Sequence, residues 1–109
     1  MKVSELKQEI GLELLNKLFD REVTGVFISD MVSDIIAGLA PGSLLVTIQT
    51  HNNLIATANL VDASAVVFVR GKKPDEDIIQ LGNRAELSLL STELDAWNLA
   101  LKLSEAGLR

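Results

Sequence analysis

Five polar side chains in succession, Gln49, Thr50, His51, Asn52 and Asn53, follow directly on the apolar run Leu44 to Ile48. Hydrogen-bonding groups gathered at the exit of a buried strand can orient a small ligand. A second group, Arg70, Lys72 and Lys73 around Gly71, places a local positive spot in an acidic molecule and suits a phosphate or carboxylate. Ser29 with Asp30, and Ser91 with Thr92, follow other strand candidates and complete the same rim. Thr50, Asn52 and Asn53 are also ordinary cap and turn residues, and Lys72 and Lys73 are followed at once by Asp75, Glu76 and Asp77, which balance them at a solvated surface.

Reaction chemistry is poorly provided for. Gly71-Lys72-Lys73 falls short of a phosphate-binding loop, which needs glycine where Val66 stands and serine or threonine where Lys73 stands. No dinucleotide glycine fingerprint and no nucleophile elbow is present, and a single histidine excludes paired-histidine zinc motifs. With no cysteine, disulfides, thiolate metal sites and cysteine nucleophiles are excluded together. Asp30 and Asp34 lie four apart on one helix face, but two carboxylates without further oxygen ligands make a weak cation site, so neither metal nor cofactor is expected. His51 as the general base of a small hydrolase or transferase is the least favoured reading.

These groups need elements to hold them. The 109 residues carry 15 acidic and 10 basic side chains, a formal charge of −5, so a nucleic-acid partner is not expected. Apolar residues make up 48%, enough for one core. No apolar run reaches the roughly 20 residues that span a bilayer, and the first residues lack a signal-peptide stretch; a cytoplasmic location and no membrane contact are expected.

Along the chain, Ser4 is placed to cap a short helix ended by Gly11, with a short strand in Leu12 to Leu15. Glu22 to Ile28 reads as a buried strand, and Ser29-Asp30 as the cap of a helix broken by Pro41-Gly42. Leu44 to Ile48 and Ala65 to Val69 are continuous apolar runs, as in strands covered on both faces, and His51 to Val61 fits the crossover between them. Pro74 opens a further helix, Leu87 to Leu90 is the last strand, and Ser91 or Thr92 caps a C-terminal helix ending at Gly107. Alternation of this kind predicts an α/β fold: a single-domain layered sandwich over residues 1–109, its small, mostly parallel sheet flanked by helices. An antiparallel edge strand or hairpin within Leu12 to Ile28 is allowed. In the last helix Leu94, Trp97 and Leu101 form one apolar stripe while Ala96, Leu99, Ala100 and Leu103 spread apolar surface around it, which implies a second covering partner, a homodimer above all.

From Asp20-Arg21-Glu22-Val23-Thr24-Gly25 onward, through Thr47-Ile48-Gln49-Thr50-His51, Val69-Arg70-Gly71-Lys72 and Leu90-Ser91-Thr92, the chain resembles the DRTGG domain family over nearly its whole length. Asp20, Arg21 and Gly25 match the opening of that pattern; Thr50 and Gly71 correspond to its threonine and second glycine. Such domains are similar to the N-terminal domain of bacterial HPr kinase/phosphorylase and accompany CBS, pyrophosphatase or phosphotransacetylase domains. The resemblance implies a regulatory or ligand-sensing module, commonly dimeric, without catalysis of its own. Val26 and Arg70 stand where relatives tend to show a further glycine, which alters any backbone approach by a ligand. Read from the residues alone, Asp20 suits a turn, Arg21 a fork onto a carboxylate or carbonyls, and Gly25 a bulge or close backbone approach. The expectation is therefore a non-catalytic regulatory module binding a small anionic or nucleotide-like ligand at Thr50, His51, Asn52, Arg70, Gly71, Lys72 and Lys73. The alternative is a purely structural homodimerisation module, joined through Leu94, Trp97 and Leu101, that serves a protein partner.

Overall fold

A computed structural model describes residues 1–109 as one five-stranded sheet between two layers of helices. In chain order the elements are α1 (Val3–Ile10), β1 (Glu13–Leu14), β2 (Gly25–Ile28), α2 (Val32–Gly38), β3 (Ser43–Thr47), α3 (Asn52–Leu60), β4 (Ala65–Phe68), α4 (Glu76–Arg84), β5 (Ser88–Ser91) and α5 (Ala96–Glu105). The sheet order is β1-β5-β4-β3-β2, with β2 to β5 parallel and β1 antiparallel to β5.

The continuous apolar runs become central strands because both of their faces are covered. Leu44, Val46, Val67, Val69 and Leu90 pack with α1 and α5; Leu45, Val66, Phe68 and Leu89 pack with α2, α3 and α4. The two layers are unequal, three helices against two. Consequently the sheet face over β2 and the C-terminal end of β3 has less cover on the α5 side, and β2, read from its composition as buried, is a half-exposed edge strand.

No hairpin joins β1 to β2. They lie at opposite edges, and the connecting chain crosses the N-terminal ends of the parallel strands, where hydrogen bonds lace it down. The Asn16 amide donates to the Leu87 carbonyl at 2.9 Å and accepts from the Leu89 N–H at 2.8 Å, continuing the pairing of β1 by side chain. The Phe19 N–H donates to the buried Ser88 hydroxyl, and the Ser64 hydroxyl to the Glu22 carbonyl.

Helix ends follow cap chemistry with shifted assignments. Gly11 ends α1 in the left-handed region, as the sequence suggests. Its N-terminus is closed by the Glu5 carboxylate, which accepts from the Lys2 N–H, while Ser4 instead donates to Asp20. Met31 and not Ser29 or Asp30 holds the cap position of α2. The last helix starts later than Ser91 or Thr92: Ser91 is still in the sheet, paired to Phe68 and Glu13, and Asp95 caps α5 by accepting from the Asn98 N–H.

Candidate ligand-binding site

Because β2, β3 and β4 run the same way, their C-terminal ends meet at one edge, and the N-terminus of α5 lies against them. Between these elements is a cleft of about 350 Å³, within the range of small-molecule sites. Val46, Ile48, Val69 and Ile28 give it an apolar floor, and Ala96 and Trp97 from α5 form a wall. Trp97, the only tryptophan, is 70% exposed although the ring is the largest apolar group in the chain.

Four polar residues converge on the cleft: Asp30, Thr47, Arg70 and Asp95. One Asp30 oxygen accepts from the Thr47 hydroxyl at 2.8 Å and from the Ile48 N–H at 2.9 Å, tying the loop after β2 to the end of β3. One Asp95 oxygen accepts from the backbone N–H and the side-chain amide of Asn98. The second oxygen of each carboxylate has no protein partner. Asp95 is held below its ordinary value of 3.8 by the Asn98 backbone N–H first, then the Asn98 amide, with a smaller contribution from the Arg70 charge, so it is anionic at neutral pH. Arg70 takes a left-handed backbone with φ 58° and donates its N–H to the Leu94 carbonyl; its guanidinium has no ion-pair partner.

Of the seven rim residues expected to bind a ligand, Arg70 alone lines this cleft. Thr50 is half-buried in the turn before α3, His51 holds the cap position of α3, and Asn52 is its first, exposed residue; they border the exit of β3 outside the cleft. Gly71, with φ +69°, donates its N–H to Thr92, and a side chain there would meet the Glu93 carboxylate at 2.6 Å. Lys72 is exposed, and Lys73 pairs with Glu13 at 3.1 Å on β1, across the sheet edge from the cleft. Sequence groups neither Trp97 nor Asp95 with the rim, because the cap of α5 falls at Asp95, four residues after Ser91 and three after Thr92. Asp30 was legible as a rim residue.

The residues matched to the family pattern divide between the two ends of the sheet. At the N-terminal edge, Asp20 accepts from the Ser4 N–H at 2.8 Å and the Ser4 hydroxyl at 2.7 Å, while Arg21 forks onto the carbonyls of Ala63 and Glu86 at 3.1 and 2.6 Å. Gly25 opens β2 without a bulge; a side chain there would touch the Ser43 hydroxyl at 3.4 Å and the Arg109 carbonyl at 3.8 Å. Thr50 and Gly71 lie at the opposite edge. On α5, Leu99 and Leu103 face the core, Leu94 is half-buried ahead of the helix, and Trp97 and Leu101 remain exposed.

The layered architecture defines an α/β domain with an open cleft at the edge where the parallel strands end. The chain belongs to the DRTGG domain family, which matches it over residues 6–106. Among solved structures it is similar to the CBS and DRTGG domains of the regulatory region of Clostridium perfringens pyrophosphatase, complexed with the activator diadenosine tetraphosphate. That likeness has a TM-score of 0.72 at 15% identity and covers 93% of this chain and 45% of the other, so this chain spans less than half of that region and shares its fold. No curated protein matches the chain. No helix is long and apolar enough to cross a membrane.

Proposed function

We propose that residues 1–109 act as one non-catalytic, cytoplasmic regulatory module that binds a nucleotide-like ligand in the cleft between the β2–β4 edge and α5. The observation that carries this reading is the cleft itself, where an exposed indole and an apolar floor lie beside one unpaired guanidinium. A bare anion is disfavoured there by Asp30 and Asp95. A nucleoside suits the mixture: its base stacks against Trp97, its hydroxyls donate to the free carboxylate oxygens, and its phosphate turns toward Arg70 and the outer Lys72. Thr50, His51 and Asn52 border the exit for longer ligands. The family and the dinucleotide complex of the pyrophosphatase regulatory region support a regulatory role.

Thermal denaturation with adenosine, its mono- and triphosphates, diadenosine tetraphosphate and inorganic phosphate tests this. Nucleotides are expected to raise Tm, by about 2.7 kcal/mol of stabilisation at a hundredfold excess over Kd. Arg70→Ala and Trp97→Ala should each remove most of the shift, and inorganic phosphate should produce none. A flat response to every nucleotide overturns the reading. In that event the second reading, a structural homodimerisation module serving a protein partner, is the one favoured by exposed Trp97 and Leu101 on α5.

A further inference from the structure

Connections leave the carboxyl end of the sheet in two directions. Those from β2, β3 and β4 enter the layer of α2, α3 and α4, whereas the one from β5 turns to the opposite layer as α5. Adjacent parallel strands whose connections part in this way leave a crevice beyond their ends. The chain between β5 and α5 divides that space. On one side is the cleft that holds Trp97; on the other is a separate pocket of about 310 Å³ with no lining residue in common. The last turn of α1, at Ile10 and Gly11, and Glu13 of β1 form its outer wall. Its charges are mixed. Glu93 and Lys102 line it with opposite signs and neither is ion-paired, while Glu13 holds Lys73 at 3.1 Å. A smaller groove with Glu9 and Glu105 adjoins Lys102, so this ammonium stands among carboxylates without pairing to one. The Thr92 hydroxyl accepts from the Leu94 N–H at 3.2 Å, which leaves its own proton to donate. α1 turns its carbonyl end, the negative pole of the helix, toward the same space.

We propose that this second pocket binds a small zwitterion, a free α-amino acid. Its ammonium lies between the Glu93 carboxylate and the carbonyl end of α1, and its carboxylate takes Lys102 and the Thr92 hydroxyl. An ion of one sign meets a favourable pole and an unfavourable one here. A molecule that carries both charges on one carbon satisfies the two together. The volume is at the small end for a ligand site, and Ile10 and Leu94 are the only sizeable apolar side chains lining it, which suits a short, uncharged side chain. A further carboxylate on the ligand would add to the negative charge of Glu13 and Glu93. Because the charged groups are exposed, affinity is in the millimolar range, and it is the pairing of both signs that selects. The regulatory module thereby gains a second input, chemically unlike a nucleotide and seated on other residues.

Amide chemical-shift titration of the whole isotope-labelled chain with glycine, serine, valine and aspartate tests it, with methylamine, acetate and putrescine as ligands of one sign only. A neutral amino acid is expected to move the amides of Gly11, Thr92 and Lys102 along one saturable curve. Aspartate should bind more weakly, and the three single-sign compounds should give no saturable shift at these residues. Glu93→Gln and Lys102→Gln should each weaken binding about fivefold. Trp97→Ala, which strikes only the nucleotide cleft, should leave amino-acid binding unchanged. The proposal is overturned by the absence of a saturable shift from glycine, serine and valine at tens of millimolar, by saturation with any single-sign compound, or by undiminished binding in both glutamine variants. The nucleotide screen depends on Arg70 and Trp97 and this titration on Glu93 and Lys102, so either reading can fail without the other.

Discussion

Asp20 and Arg21 are neighbours in sequence and fasten different parts of the N-terminal sheet edge. Asp20 takes both donors of Ser4, and the Ser4 N–H, with the hydroxyl second, holds its carboxyl below the ordinary value of 3.8. A folded-state value lower than the unfolded one means that this contribution is complete above 3.8 and is lost as pH falls through the folded value. Asp20→Asn should therefore cost a few degrees of Tm at neutral pH, where one acceptor oxygen survives, and less at about pH 3, so that the two proteins converge in acid. Thermal melts across that range check it; a gap that widens in acid would contradict the assignment. Arg21 works through geometry. Its two nitrogens reach carbonyls on separate loops, Ala63 before β4 and Glu86 before β5. Arg21→Ala should lower unfolding free energy by about 1–2 kcal/mol in urea titration. Arg21→Lys should recover less than half of that, because one ammonium cannot reproduce the planar fork.

Among the elements, α4 carries a conflict between local preference and packing. Gly82 is buried in the helix, where replacement by alanine gains about 1 kcal/mol of helix propensity. A side chain there would lie 2.7 Å from Leu89 Cδ1 and 3.0 Å from the Asn16 amide, the group that clamps Leu87 and Leu89. Leu89 is wholly buried, so it can yield only by displacing its own core neighbours, and overpacking of about 1–3 kcal/mol should win. Gly82→Ala is expected to destabilise in chemical denaturation; a stabilised variant would show that the α4–β5 contact gives way freely. The same contrast between local and distant causes decides what the sequence discloses. Leu44 to Ile48 and Ala65 to Val69 are readable as central strands because double coverage leaves an unbroken apolar run. Edge position leaves no such mark, so β2, equally β-branched and aromatic, reads as buried. The start of α5 is misplaced because Ser91 and Thr92 are both good caps, and only the register of β5 shows that the chain is still in the sheet there. Asp30 likewise reads as a cap, while its carboxylate spends its bonds on Thr47 and Ile48, a neighbour set by strand order. The cleft inherits both displacements, which is why Arg70 was legible within it and Asp95 was not.

At the scale of the whole molecule, the open side of the sheet follows from chain order. Three crossover helices fill one layer, and only α1 and α5 remain for the other, so the face over β2 is left to whatever binds there. Ile28 and Trp97 line the cleft on that uncovered side, so a nucleoside seated there covers apolar surface that the two-helix layer leaves open. A base stacked on the indole should quench Trp97 emission along the same saturation curve as the thermal shift. Leu60→Glu, on α3 of the opposite layer, should leave both curves unchanged. Full thermal stabilisation with unaltered emission would place the ligand away from α5.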